Sequence, residues 1–304
     1  MRGLVIKTTG GDYVVRSGGA GYVCKIKGTF RIKGIKSTNP LAVGDFVTFD
    51  PETGYITALE PRRNYMIRKP TNLSKQQHII AANVDQTLLI VTLRYPETAL
   101  EFVDRFLATA EAYCIPAVVV FNKVDLLDAY DLELLSGIEY LYQSIGYGTL
   151  RVSATDGVGV DELSGLLQGK TTLLSGNSGV GKSTLINLLV PDAATKVGVI
   201  SESHLTGMHT TTFSEMYELP SGGGYIIDTP GIKSFGTFDM KPEEVSHFFP
   251  EIFRVAANCK FDDCTHTHEP GCAVLEALQQ HYISQSRYQS YLSIRGDLDE
   301  GKYR

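Results

Sequence analysis

The segment Gly176-Asn177-Ser178-Gly179-Val180-Gly181-Lys182-Ser183, followed by Thr184, has the spacing of a loop that wraps phosphate groups. Its glycines let backbone N–H groups turn inward at a helix N-terminus, where the helix dipole favours an anion. Lys182 is placed to reach the β- and γ-phosphates of a nucleotide, and Ser183 to ligate Mg²⁺. The motif needs a strand before it and a helix after it. The apolar run Thr171 to Leu174 and the helical pattern from Ser183 to Leu189 supply both.

A second constellation concerns the base. Asn122-Lys123-Val124-Asp125 follows the strand-like Ala117 to Phe121, at the carboxyl end where open α/β sheets bind ligands. The Asp125 carboxylate can accept from both the guanine N1–H and its exocyclic amine. Adenine has no such pair of donors and would leave the charge unpaired, so GTP is expected over ATP. Ser153-Ala154 follows the next strand, and Asp228-Thr-Pro-Gly231 ends another, with Asp228 suited to hold Mg²⁺ through water and the Gly231 N–H to meet the γ-phosphate. In an ordinary GTP-binding domain the phosphate loop leads. Here the base-recognition motifs precede it, so the expected fold is a circularly permuted P-loop GTPase domain.

Many such enzymes orient the attacking water with a glutamine directly after D-x-x-G, but Ile232 stands there and cannot hydrogen-bond water. His209, between the phosphate loop and Asp228, is the best substitute, with His204 a rival; its neutral imidazole can orient water. The residues alone balance that role evenly against an idle loop histidine. One of Thr210, Thr211 and Thr212 should ligate Mg²⁺. If no group replaces the glutamine, the alternative is a non-hydrolysing, GTP-dependent RNA-binding scaffold.

Cys259, Cys264, His266 and Cys272 place three thiolates and an imidazole within fourteen residues, the complement of one closed, structural Zn²⁺ site. His268 fits the spacing as well as His266. Cys24 and Cys114 read as ordinary buried thiols.

The elements that must position these groups divide the chain of 304 residues into a multi-domain protein. Residues 1–65, with alternating stretches such as Tyr22 to Lys27, read as a small β-barrel. Residues 66–77 read as a basic linker. Strand and helix patterns alternate over 78–236, as in a parallel α/β domain. Residues 237–304 read as a small, metal-stapled helical domain whose core alone would be too small. Net charge is −6, yet Arg2, Lys7, Arg16, Lys25, Lys27, Arg31, Lys33 and Lys36 face only Asp12 in the first 36 residues. Within that block Lys25, Lys27, Arg31 and Lys33 are a candidate phosphate-tracking face, Tyr22 and Phe30 offering rings for stacking, against the plainer reading of a solvated barrel surface. The longest apolar run, around Leu88 to Val91, is far too short to span a membrane and the N-terminus has no signal-peptide pattern. A cytoplasmic protein with no membrane or DNA partner is expected, and a monomer.

The joint set NKVD at 122–125, GNSGVGKST at 176–184, GMHTTT at 207–212, DTPG at 228–231 and CKFDDCTHTHEPGC at 259–272 resembles the RsgA family of small ribosomal subunit biogenesis GTPases, over essentially the whole chain. The resemblance implies an N-terminal OB-fold, a permuted GTPase domain and a C-terminal zinc domain. It implies binding of the small ribosomal subunit and its rRNA, ribosome-stimulated hydrolysis of GTP to GDP, His209 as the catalytic histidine and Thr211 as the Mg²⁺ ligand. Because the chain after Gly231 runs directly into the C-terminal domain, that domain is expected to move with the state of the nucleotide.

Overall fold

Alternation of inward and outward residues makes the first strands two-faced. From β1 (Arg2–Thr9), β2 (Asp12–Ser17) and β3 (Ala20–Ile26), the side chains of Val5, Tyr13, Val15 and Cys24 point to a common interior. Val47 and Phe49 of β4 (Phe46–Asp50) and Ile56 of β5 (Tyr55–Leu59) fill the rest of it. β1 pairs with both β2 and β4, and β3 pairs with β5, so the order β1-β2-β3-β5-β4 closes into the expected OB-fold barrel. The computed structural model describes residues 1–9, 11–26, 40–68, 78–191, 214–220, 223–228 and 240–299.

The start of the expected linker is structured. β6 (Tyr65–Arg68) pairs antiparallel with β7 (His78–Ala82), and Met66 is fully buried. Residues 69–77 lie outside the described residues.

β8 (Gln86–Val91) is buried along its whole length, as a central strand of a parallel sheet must be. Leu89 and Val91 face α1 (Leu100–Ala112) and α2 (Ala129–Ile145); Leu88 and Ile90 face α3 (Val160–Leu167) and α4 (Lys182–Leu189). With β9 (Ala117–Phe121), β10 (Gly148–Arg151), β11 (Thr171–Gly176), β12 (Glu215–Glu218) and β13 (Tyr225–Asp228), the sheet runs β10-β9-β8-β11-β13-β12, and only β12 is antiparallel to its neighbour β13. Cutting the chain elsewhere leaves this order intact. Cys24 is buried in the barrel, but Cys114 is exposed, contrary to expectation, because the chain leaves α1 there at φ 53°.

Barrel and α/β domain share one sheet. β12 pairs with β1 at Glu215 and Lys7, giving eleven strands in all. Ion pairs line the seam, Lys7–Glu215 at 3.3 Å and Arg16–Glu218 at 2.5 Å. Two cations of the basic N-terminal block are therefore engaged by the neighbouring domain. Arg2 pairs with Glu60 and Lys25 lies 3.8 Å from Asp12. Tyr22 packs its ring on Phe49 at 5.0 Å. Phe30, Lys27, Arg31, Lys33 and Lys36 lie outside the described residues.

The C-terminal unit consists of a 3₁₀ segment (Pro242–Phe248), α5 (Pro250–Ala256), α6 (Ala273–Gln279) and α7 (Gln285–Asp299). Its core of Val245, Phe249, Ile252, Val274, Tyr291 and Ile294 includes Ala108 of α1. At this junction Arg287 of α7 is wholly buried, 2.9 Å from Asp104 of α1 and 2.7 Å from Glu251 of α5. Asp104 also accepts from Ser290 Oγ at 2.6 Å and from the Tyr142 hydroxyl at 2.9 Å. Burial disfavours the charged Arg287, but Asp104 and Glu251 outweigh it and raise its pKa; burial raises that of Asp104 despite its partners. Arg105–Asp297 at 2.5 Å and Ser293–Glu101 at 2.7 Å rim the contact. Rotation of this unit against α1 would strand buried charges, so any movement must carry α1 with it.

Arg287→Ala should lower unfolding stability by about 3–5 kcal/mol, because it leaves Asp104 buried without its cation. Lys7→Ala at the half-exposed seam should cost no more than about 1 kcal/mol. Urea denaturation followed by circular dichroism checks both, and equal effects would contradict this account.

Candidate active site and metal centre

Each nucleotide motif among the described residues lies at the carboxyl end of a parallel strand. Gly176 ends β11 and Lys182 opens α4; Asn122 follows β9, Ser153 follows β10 and Asp228 ends β13. The phosphate loop needs its glycines for steric reasons. Gly176, Gly179 and Gly181 have φ of +156°, +85° and +90°, and a Cβ on Gly181 would meet Asn122 Nδ2 at 2.4 Å. Glycine at 181 thus makes room for a side chain of the other motif.

Asn122, 2% exposed, uses that room. Its Nδ2 donates to the Val180 carbonyl at 2.8 Å, and its Oδ1 accepts from the Ala154 N–H at 3.4 Å. One amide therefore holds the phosphate loop and the Ser153-Ala154 turn in register. Lys123, at φ 63°, donates from Nζ to the carbonyls of Tyr95 at 2.6 Å and Gly179 at 2.7 Å. Val124 opens a 3₁₀ turn (Val124–Leu126) and donates its N–H to Val152 O, leaving Asp125 exposed beside this cluster. Ser153 is buried, its Oγ accepting from the Asp156 N–H.

Val180 is buried in the core below the loop, whereas Ser178, Gly179, Ser183 and Thr184 are exposed and Asn177 is half-buried. Lys182 Nζ lies 2.8 Å from Asp228 Oδ1. The cation expected to reach phosphate and the carboxylate expected to hold a metal thus pair with one another across the top of the sheet. Hard oxygen donors, the Ser183 hydroxyl and the Asp228 carboxylate, suit Mg²⁺ chemistry. His209, Thr211 and Gly231 lie outside the described residues.

Sequence reasoning passed over the loop after β8. Tyr95 supplies the carbonyl that anchors Lys123, and Pro96 would lie 3.5 Å from a Cβ on Gly179. A backbone acceptor carries no residue signature, so only the fold exposes it.

In the C-terminal unit one ligand atom from each of Cys259, Cys264, His266 and Cys272 lies within 4.8 Å of the others. Cys259 Sγ and Cys272 Sγ are 3.9 Å apart, and each is 3.6 Å from His266 Nδ1. Tetrahedral Zn²⁺ with Zn–S bonds of about 2.3 Å separates its sulfurs by roughly 3.8 Å, so the four residues fit the ion. His268 is exposed and lies 2.8 Å from Thr267 Oγ1, which removes it from the cluster. Backbone geometry aims His266: its φ is 56°, and its carbonyl accepts from the Tyr288 hydroxyl. Burial lowers the imidazole pKa toward the neutral, ligating form. Burial also pushes the Cys264 thiol up to about 12 and raises that of Cys272. A bound divalent ion reverses that preference by stabilising thiolate.

Two family models match the chain. The RsgA N-terminal domain matches residues 2–56 and the RsgA GTPase matches residues 59–238. The chain belongs to the RsgA GTPase family. The small ribosomal subunit biogenesis GTPase RsgA of Phocaeicola vulgatus is 57% identical over 308 residues, covering 100% of this chain and 99% of that protein. The protein of the same name from Bacteroides fragilis strain YCH46 is 58% identical with the same coverage. Among solved structures, YjeQ from Thermotoga maritima superposes with a TM-score of 0.77 at 34% identity, covering 98% of each chain. YloQ, a circularly permuted GTPase, gives 0.73 at 29% identity over 100% of this chain and 96% of its own. The chain is accordingly a circularly permuted GTPase, and membership implies GTP, GDP and Mg²⁺ as its ligands. No helix among the described residues is long and apolar enough to cross a membrane.

Two measurements test the residues. Asp125→Asn should weaken GTP binding roughly a hundredfold, for the loss of two charge-assisted hydrogen bonds, and restore binding to xanthosine triphosphate, whose C2 carbonyl accepts from the new amide. Cys264→Ser should abolish a metal content of one zinc per chain, read by elemental mass spectrometry, and lower the melting temperature of residues 240–299.

Proposed function

We propose that this GTPase binds the small ribosomal subunit and its rRNA as a monomer in the cytoplasm, assists late maturation of that particle, and hydrolyses GTP with ribosome stimulation to time its release. The names of its relatives support the partner. The observation that carries the site is the Asn122 amide, which spans the phosphate loop and the Ser153-Ala154 turn. In this reading the backbone of Gly176 to Lys182, with Ser183 and Thr184, cradles the phosphates. Asp125 selects guanine, Lys123 and Val124 shape the base pocket from below, and Ser153-Ala154 closes its side.

Lys182 leaves Asp228 for the β- and γ-phosphates when nucleotide enters. Ser183, Thr211 and, through water, Asp228 would hold Mg²⁺, which neutralises charge on the β- and γ-oxygens. Water attacks the γ-phosphorus, and the bond from phosphorus to the β,γ-bridging oxygen breaks, giving GDP and phosphate. With Ile232 where a glutamine often stands, orientation of the water falls to the neutral His209 imidazole. Gly231 senses the γ-phosphate through its N–H. A structural Zn²⁺ on Cys259, Cys264, His266 and Cys272 would hold the C-terminal unit in shape.

Coupling to the partner follows from β12. It begins just after the segment holding His209 and Thr211, pairs with the strand ending at Asp228, and pairs on its other edge with the barrel. Loss of the γ-phosphate is thereby transmitted to the barrel, whose remaining basic face, including Lys25, would carry rRNA.

Phosphate release by wild-type protein should rise severalfold on adding small subunits, and co-sedimentation should be stronger with a non-hydrolysable GTP analogue than with GDP. His209→Ala should lower subunit-stimulated turnover by about a hundredfold or more, with GTP affinity changed by no more than about twofold. Unchanged turnover on subunits would remove His209 from the mechanism.

A further inference from the structure

Exposed apolar side chains concentrate on one element. Of the fifteen large hydrophobic residues exposed among the described ones, five lie between 126 and 140: Leu126 at 51%, Tyr130 at 70%, Leu132 at 36%, Leu134 at 41% and Tyr140 at 75%. α2 buries Leu135, Ile138, Tyr142 and Ile145 against the sheet. Tyr130 and Leu134, spaced i and i+4, continue as a row through Gly137 and Leu141 on an adjoining face, with Tyr140 beside them. Exposed side chains of this size that line up on one helix face, unlike singly scattered ones, mark a contact surface.

The charges around this row are of one sign. From Val124 to Leu150 the chain has no Lys, Arg or His, but has Asp125, Asp128, Asp131, Glu133 and Glu139. Arg94 neutralises Asp131 and Arg151 neutralises Glu139 from other elements. Asp128 and Glu133 remain exposed beside the row; no described cation forms an ion pair with Glu133, and Asp128 feels Arg94 only at longer range. An RNA backbone would be repelled here, unlike at the basic barrel. A second copy packed face to face would set Glu133 against its own counterpart. A cationic polypeptide bearing apolar side chains meets both features.

We propose that the outer face of α2, with Leu126 of the preceding turn, docks a Lys/Arg-rich protein segment of the small-subunit particle. This rests on the reading that the particle is the partner. The surface begins one residue after Asp125, so the docked segment abuts the guanine pocket and ties protein contact to nucleotide occupancy. The barrel takes the particle's RNA and α2 takes its protein.

Photocrosslinking tests the assignment with full-length protein. Benzoylphenylalanine in place of Tyr130, and separately of Tyr140, is irradiated on small subunits with a GTP analogue. The expected result is an adduct to one basic subunit protein. The double variant Tyr130→Glu, Leu134→Glu should bind subunits about tenfold more weakly or worse, as for loss of a docked apolar anchor, with intrinsic GTP hydrolysis and thermal stability unchanged. Adducts to rRNA or to a second copy, no adduct from a protein that still co-sediments, or undiminished binding of the double variant would overturn the inference alone. Failure of wild-type protein to co-sediment would overturn the underlying reading with it.

Discussion

Arg287 carries a charge where no water reaches, and its two counter-charges come from different parts of the chain: Asp104 from α1 of the GTPase domain and Glu251 from α5 of the C-terminal unit. A lone guanidinium at such depth is prohibitively costly, so α7 can settle only where both carboxylates are already in place. The pairing therefore welds the last helix to α1. Because α1 packs on β8 and β9, whose carboxyl ends carry the Tyr95 loop and Asn122, the cysteine cluster is held in fixed relation to the nucleotide end of the sheet. Tyr142 of α2 donates to the same Asp104, so the two helices on that face of the sheet share one polar anchor.

This changes the mechanical picture drawn from motif order. A domain entered directly after a γ-phosphate sensor invites the idea of a free arm that swings. The buried triad makes it instead a rider on α1, so that in the proposed mechanism a nucleotide response would run through α1 or along the strands. β12 offers the second route, since it touches the barrel on one edge and the strand of Asp228 on the other.

What was legible in the sequence is what sterics and ligand chemistry tie to residue type. Gly176, Gly179 and Gly181 announce the phosphate loop because their φ angles exclude other side chains, and Cys259, Cys264, His266 and Cys272 announce a metal because few other purposes need three thiols and an imidazole so close. Spacing left His266 and His268 equal; the backbone turn at His266 decided between them. The barrel and the α/β alternation were readable from periodicity. Relations between distant segments were not. Lys7 and Arg16 counted as free cations until β12 supplied Glu215 and Glu218, and nothing in the pattern around Arg287 distinguishes it from a surface arginine. Such pairings depend on topology, which a local pattern does not carry.

The seam between β1 and β12 joins residues 208 positions apart, for Lys7 and Glu215 form one of its ion pairs. During synthesis the barrel's five strands leave the ribosome early and can close among themselves, but the end of β1 around Lys7, beyond its pairing with β4, lacks its β12 neighbour until more than two-thirds of the chain has been made. Loop closure over that span is slow, and an open strand edge invites wrong partners in the interval. Lys7 on that edge is a charged side chain of the kind that discourages such pairing. The residue that later fastens the two domains thus first serves as a guard on the growing chain.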